Sequence, residues 1–431
     1  MTGSPAPAGL HSLSSSPMTN SKKIALRLTE FPDQILAEIL LRLPTASDLA
    51  RASAACVSIR RLVTDRYFLR CFRRLHSPPL LGFVDGDGFY PARPPQFHPA
   101  QPPHASTPGA RALALAADFT FSFLPSHCRW TVQDIRDGRV LLHRRLAYDE
   151  QIPLFRELVV CDPLHRRYIL LPPVPDDLAP SVQPRLLPRP QSDPFLAPLG
   201  EEAPAAMAET LFRVIYMIHC KLKLTAIVFS SSAGQWTAAA SKAWGDLLRG
   251  KDELDIMSKM HAFFLRRHYA YGCFYWDWLL IQSKKLLVLD TRKMDFSMSD
   301  LPPGEWTTQG QGLAIVDAGE GMPGMFGFHS IFASDLSYTI ARNKDESPTQ
   351  WQTEKISLDS GYKYFITDAT QRYLLLGRAE NPYVENALIE YFSMDIKTLK
   401  LQRVCARQGI YTYGLRIYDN FPPSLLSSST I

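Results

Sequence analysis

From Leu28 onward the chain places apolar residues at helical spacing. In FPDQILAEILLRLP, Ile35, Leu36, Ile39, Leu40 and Leu43 fall at i, i+1, i+4, i+5 and i+8 and form one broad apolar stripe. Pro32 suits a first helical turn, where its missing N–H is not needed. Asp33 favours the positive end of the helix dipole, and Pro44 ends the segment. Thr45-Ala-Ser-Asp48 reads as a capping-box-like start, after which Leu49, Ala52, Cys56, Ile59 and Val63 continue at steps of three or four. In RYFLRCFRRL, Phe68, Phe72 and Leu75 oppose Arg66, Arg70, Arg73 and Arg74, which predicts an amphipathic helix with a solvated basic face. The spacing therefore predicts a compact helical unit over residues 24–76, too small to bury all its own apolar surface.

Seven prolines between Pro91 and Pro108 cannot sustain helix or sheet-centre hydrogen bonding, and they predict a linker over 77–110. From 111 to 420 the chain reads as short apolar or alternating runs bounded by Asp, Gly, Asn, Ser and Pro, the all-β pattern. One device recurs: a strand ends at a polar turn and a second strand returns. It appears in FTFSFLPSHCRWTVQDI, LVVCDPLHRRYILLP, AIVFSSSAGQWTAAAS, KLLVLDTRKMDFSMSDLP, YTIARNKDESPTQWQTEKISL and EYFSMDIKTLKLQRVC. With Trp130, Tyr168, Trp236, Phe296, Trp351 and Leu399 as equivalent points, the steps are 38, 68, 60, 55 and 48 residues. Such steps suit propeller blades of roughly 40 to 50 residues with insertions. Ten prolines between Pro172 and Pro204 predict an exposed loop insertion. The fold expected is α+β and multidomain: a small three-helix unit at the N-terminus, then an all-β propeller-like domain of about six blades, with a β-sandwich pair as the alternative. Residues 1–23, rich in Ser, Pro, Ala and Thr, read as a disordered lead, and 421–431 as a tail.

Composition bounds the function. Over 431 residues, 46% apolar and 21% charged positions are ordinary globular usage, enough for a core. A net charge of +5 is too small and too dispersed for a nucleic-acid footprint. Seven scattered cysteines with no CxxC pair argue against disulfides and zinc knuckles. No basic start with an apolar run marks a secretory signal, and no long charge-poor apolar run marks a membrane span. These features predict a cytoplasmic or nuclear protein that binds neither nucleic acid nor membrane.

Candidate chemistry is sparse. Gly319, Gly321 and Gly324 form a literal GxGxxG after LAIVDA, but Pro323 and the strand-like sequence that follows fit a turn between strands better than a dinucleotide loop. Cys161-x3-His165 and His261-x6-His268 lack the four ligands of a structural zinc site. Asp85-Gly-Asp87-Gly88 lacks the later ligands of a calcium loop. No GxSxG elbow occurs. The aromatic run Phe274, Tyr275, Trp276 and Trp278 reads as blade core before it reads as a target pocket. No catalytic residue, metal or cofactor is expected.

The segment FPDQILAEILLRLP followed by DLARASAACVSIRRLV resembles an F-box over residues 28–65, and the β-rich remainder, with DPLHRRYILLPP, KLLVLDTRKMDFSMSDLPP and QRYLLLG, resembles the domain appended to a large class of plant F-box proteins. The resemblance implies substrate recognition in an SCF-type ubiquitin ligase: the F-box binds a Skp-type adaptor, and through it a cullin, while the β domain holds a target protein. It assigns Phe31, Pro32, Leu36, Ile39, Leu43, Pro44, Leu49 and Val57 either to the adaptor interface or to the packing between helices. One departure is Ile59, where many F-boxes carry Trp. The alternatives are an enzyme on a propeller scaffold, and an F-box protein that sequesters targets without ubiquitylation.

Overall fold

The computed structural model describes residues 31–76, 78–86, 94–125, 129–145, 153–178, 191–199, 211–220, 222–248, 264–278, 285–303, 306, 312–319, 323–329, 334–342, 350–384, 386–409 and 414–420. The chain divides into two compact units, Met1–Pro78 and Pro79–Ile431. The expected lead over 1–23 and tail over 421–431 lie outside the described residues.

In the first unit the described helices are α1 (Asp33–Leu41), α2 (Ala46–Ala55), α3 (Val57–Val63) and α4 (Arg66–Leu75). Leu36, Leu40, Leu49, Ile59, Val63, Phe68 and Phe72 form their shared core. Periodicity from Leu49 to Val63 suggests one helix, but the backbone of Cys56 is extended and splits it into α2 and α3. Thr45 accepts the Asp48 N–H at 3.1 Å, as a capping residue should. The box closes through the hydroxyl, which donates to Asp48 Oδ2 at 2.6 Å. Asp65 caps α4 by accepting the Phe68 N–H at 3.0 Å. Leu75, expected on the apolar face of α4, is exposed, because Phe68 and Phe72 already fill the seam. The side chains of Arg66, Arg70, Arg73 and Arg74 lie outside the described residues.

The second unit is a six-bladed β-propeller-like ring. In chain order its elements are β1 (Leu80–Asp85), β2 (Gln96–Pro99) and the helix α5 (Thr107–Ala116). The first blade is β3 (Arg129–Arg136), β4 (Arg139–Arg145), β5 (Leu158–Asp162) and β6 (Arg167–Leu170). The second is β7 (Gln191–Ala197), β8 (Arg213–His219), β9 (Lys223–Ser230) and β10 (Gln235–Ala243), followed by the short helix α6 (Trp244–Leu247). The third is β11 (Phe264–Ala270), β12 (Cys273–Trp278), β13 (Lys285–Asp290) and β14 (Asp295–Asp300). The fourth is β15 (Leu313–Asp317), β16 (Pro323–Phe328), β17 (Asp335–Arg342) and β18 (Gln350–Ser357). The fifth is β19 (Lys363–Ala369), β20 (Tyr373–Ala379), β21 (Ala387–Asp395) and β22 (Leu401–Gly409). The sixth has three strands in the order β2-β1-β23, where β23 (Leu415–Asp419) comes from the far end of the domain. Every ladder is antiparallel.

A blade buries both faces, so a strand in its middle needs apolar residues on both sides. In β20, Leu374 and Leu376 join the core shared with the fourth blade, while Leu375 joins the core shared with the sixth. In β13, Leu287 and Leu289 face the second blade and Leu286 faces the fourth. This is why antiparallel strands here read as continuous apolar runs instead of alternating ones. Six such inter-blade cores close the ring, which excludes the sandwich alternative.

Five of the six hairpins seen in the sequence join the third and fourth strands of a blade. Three share one turn: Asp162, Asp290 and Asp395 each accept two backbone N–H groups through Oδ1, at 2.9 to 3.1 Å. Four residues on, Arg166, Met294 and Leu399 adopt left-handed φ values of 55°, 50° and 54°. In the second blade Gly234 takes that conformation at no steric cost.

Three expectations need correction. Trp130 begins the first strand of its blade, and Phe119–Pro125 is irregular chain whose Phe119, Phe121 and Leu124 plug the core between the sixth and first blades. The linker placed over 77–110 contains β1 and β2, which belong to the ring; β2 is an outer edge strand, where Pro99 costs no ladder bond. The proline-rich insertion over 172–204 contains β7, the innermost strand of the second blade.

Candidate functional site

Two regions concentrate unusual side chains, one in each unit. In the helical unit the apolar stripe of α1 splits in two. Leu36 and Leu40 face the unit's core, whereas Phe31, Ile35 and Ile39, spaced four apart, form an exposed row at 44%, 45% and 44% exposure. Val57, at the start of α3, is 80% exposed. Of the residues the sequence singled out, Phe31, Pro32, Ile39, Pro44 and Val57 are exposed, Leu36 and Leu49 are core at 3% exposure each, and Leu43 is half-buried against that core. Ile35 was missed, because on a helix wheel it lies on the same broad stripe as Leu36. Ile59 is buried, so the departure from Trp at this position is a matter of internal packing.

The second region is the middle of the propeller, where the innermost strands converge. Arg267 on β11 binds Asp134 of β3 at 2.9 Å and Asp193 of β7 at 2.7 Å, with its guanidinium 4.2 Å from the Phe195 ring centre. Burial alone would favour loss of the proton, but the two carboxylates outweigh it and hold Arg267 charged. Asp134 also accepts the Leu196 N–H at 2.8 Å, and Asp193 accepts from Gln133 at 3.0 Å and from Trp276 at 3.3 Å. The network runs outward: Gln133 Oε1 meets His143 Nδ1 at 3.1 Å, and Arg156 lies 2.8 Å from His143 Nε2. Burial and the adjacent Arg156 lower the pKa of His143 to about 3. On the far side of the ring Asp368 of β19 accepts the Ile417 N–H at 2.7 Å. Burial pushes its carboxyl above the usual range, with Arg416 opposing.

Adjacent innermost strands share no ladder, so these carboxylates supply polar links between blades. Asp134 and Asp193 are committed to Arg267, which is positioning chemistry. No sequence spacing signalled the cluster, since its members lie on three strands up to 133 residues apart with backbone atoms among their partners.

The remaining motifs resolve as turns and core. Gly319 and Gly324 flank a β15–β16 hairpin whose second strand pairs onward with β17, and a Cβ at Gly324 would meet the Tyr338 ring at 2.9 Å, so tight packing accounts for that glycine. Phe274 and Trp276 are buried with Phe195 in the core between the second and third blades; the side chain of Trp278 lies outside the described residues. Asp85 pairs with Arg407. No described helix is long and apolar enough to cross a membrane.

No protein-family model matches the chain, and no curated protein matches it. Among solved structures it is similar to the dihydro-heme d1 dehydrogenase NirN, at 10% identity and a TM-score of 0.29, covering 67% of this chain and 59% of that one. It is similar to prolyl oligopeptidase B from Galerina marginata, at 11% and 0.31, covering 78% of this chain and 48% of that one. A third is the GH93 alpha-L-arabinofuranosidase of Fusarium graminearum, at 10% and 0.29, covering 67% and 85%. The chain thus spans about half to six tenths of the length of the first two.

Proposed function

We propose that this chain is the substrate-recognition subunit of an SCF-type ubiquitin ligase. Residues 24–76 act as an F-box that docks on a Skp-type adaptor, and the propeller captures a target protein. The observation that carries the reading is the exposed row Phe31, Ile35 and Ile39, with Val57, on a unit whose core is already closed by Leu36, Leu40 and Leu49. A small helical unit that leaves several large apolar side chains in water has an interaction face. Fully burying an exposed side chain of this size contributes roughly 1.5 to 3 kcal/mol, so these four supply a part of the binding energy of an adaptor interface.

The chemistry belongs to the assembled ligase. This chain contributes proximity: it converts ubiquitin transfer from a bimolecular encounter into a tethered one by raising the local concentration of target lysines. Full-length wild-type chain should co-elute with a purified Skp-type adaptor, and Ile39→Asp combined with Val57→Asp should not, with the circular-dichroism spectrum unchanged. Retained co-elution by that variant would sink the adaptor role. A reconstituted ubiquitylation assay with the cullin separates a ligase subunit from a protein that only sequesters its target.

A further inference from the structure

Asp134, His268 and Asp368 occupy one register position in alternate blades. Each pairs with the third residue of its blade's second strand, namely Leu141, Tyr275 and Leu375. In the second and fourth blades Phe195 and Ile315 hold that position. Where the residue is Asp, its carboxylate takes a backbone N–H of the next blade's innermost strand, Leu196 after Asp134 and Ile417 after Asp368.

His268 breaks this rule. It is 3% exposed, and neither ring nitrogen has a hydrogen-bond partner among the described residues. A neutral imidazole carries one donor and one acceptor, and leaving either buried and unpaired costs about 1 to 3 kcal/mol. A protein keeps such a group when something pairs with it.

The charge around His268 says what that something is. The charged groups that act on it are all guanidinium ions, from Arg266, Arg267 and Arg416. Arg267 is neutralised by Asp134 and Asp193. Arg266, two residues before His268 on the same strand, reaches past the fourth blade to the Ile366 carbonyl of β19. Arg416 stands on β23, in the blade opposite His268, with Nε 3.4 Å from the Gln133 carbonyl. The Thr367 hydroxyl, next to the carbonyl that Arg266 engages, is buried and also without a partner.

We propose that the middle of the ring is a binding site for a small oxyanion, a phosphate, sulfate or carboxylate group, held by the His268 ring N–H between Arg266 and Arg416. Arg416 also acts on the buried Asp368 carboxyl; a charge-assisted bond to an oxyanion supplies the acceptor that the His268 ring N–H lacks, beside these guanidinium groups. This proposal does not depend on the adaptor role. A free inorganic ion and the anionic arm of a metabolite share this chemistry.

The test uses the full-length chain in chloride buffer at constant ionic strength. It is titrated by calorimetry with inorganic phosphate and, separately, with phenyl phosphate. Wild type should bind inorganic phosphate saturably; phenyl phosphate binding as well assigns the site to an anionic arm, and its exclusion to the free ion. His268→Leu, which removes the ring N–H, should weaken binding at least tenfold, and Arg416→Gln should do the same if the leucine variant fails to fold. General stabilisation by phosphate acts equally on all variants, so the difference between them reads the site. Absence of saturable binding to wild type, or equal affinity in a folded variant, overturns the proposal.

Discussion

The Tyr418 hydroxyl donates to the Gly138 carbonyl at 2.9 Å, joining β23 to the β3–β4 turn of the first blade across a sequence separation of 280. The ring of Tyr418 is fully buried and stacks edge-on against Phe119. One side chain thus fastens the sixth blade to the first by both a polar and an apolar contact.

Tyr418→Phe should cost about 1 to 2 kcal/mol, because it leaves the Gly138 carbonyl unpaired. Tyr418→Ala should cost about 3 to 5 kcal/mol through the cavity it opens. Urea midpoints of the two variants against wild type measure both. A Tyr418→Phe midpoint equal to that of wild type would mean that the hydroxyl bond contributes nothing.

Leu36 and Ile39 should separate stability from binding. Leu36→Ala removes a core side chain and should destabilise the helical unit by about 2 to 5 kcal/mol. Ile39→Ala lies in the exposed row and should cost under about 0.5 kcal/mol. Hydrogen exchange over residues 31–76 distinguishes them, and similar protection loss in both would remove the distinction between core stripe and exposed row.

Asp134→Ala leaves Arg267 enclosed with one carboxylate and strands the Leu196 N–H. Removing one partner of a buried pair costs about 3 to 5 kcal/mol. Asp134→Asn keeps an acceptor for Leu196 and should lose less. A thermal-unfolding series ranks them; an alanine variant as stable as wild type would show that the network does not tie the blades.

Acid should weaken the fold below neutrality. Burial, reinforced by neighbouring arginines, holds His98 at about 4 and His143 and His268 at about 3, against about 6.5 in an unfolded chain. The unfolded state therefore binds more protons between those limits, and stability present above about pH 6.5 is lost as pH falls, by up to about 1.4 kcal/mol per pH unit for each group. Asp419 runs the other way. Burial and Asp137 raise it to about 7, so its contribution favours the fold in acid and is lost as pH rises through 7. Asp368, raised by burial, acts in the same sense as Asp419, and the three histidines outweigh the two carboxylates. Urea midpoints at about pH 7 and about pH 5, in buffer free of oxyanions, should fall on acidification, and His143→Gln should flatten the slope; a midpoint that rises in acid contradicts the account.

What the sequence disclosed depended on whether a residue's partner was local. The turns at Asp162, Asp290 and Asp395 were legible because the carboxylate and the amides it accepts lie within three residues. The links made by Asp134 and Asp368 were not, since their acceptors meet amides 62 and 49 residues downstream, and no side-chain pattern records which backbone N–H faces which blade. The first helix shows the same limit. Five apolar residues marked its stripe, but only the placement of the helices that follow decides that Leu36 and Leu40 turn inward while Ile35 and Ile39 do not. Prolines hid β2, whose edge position tolerates them.

The sixth blade carries a consequence for biosynthesis. Its strand β1 waits for β23 while more than three hundred intervening residues are translated. Throughout that interval the nascent domain presents an unpaired strand edge and apolar runs such as those of β13 and β20, so its dependence on chaperones should end only when β23 clears the ribosome.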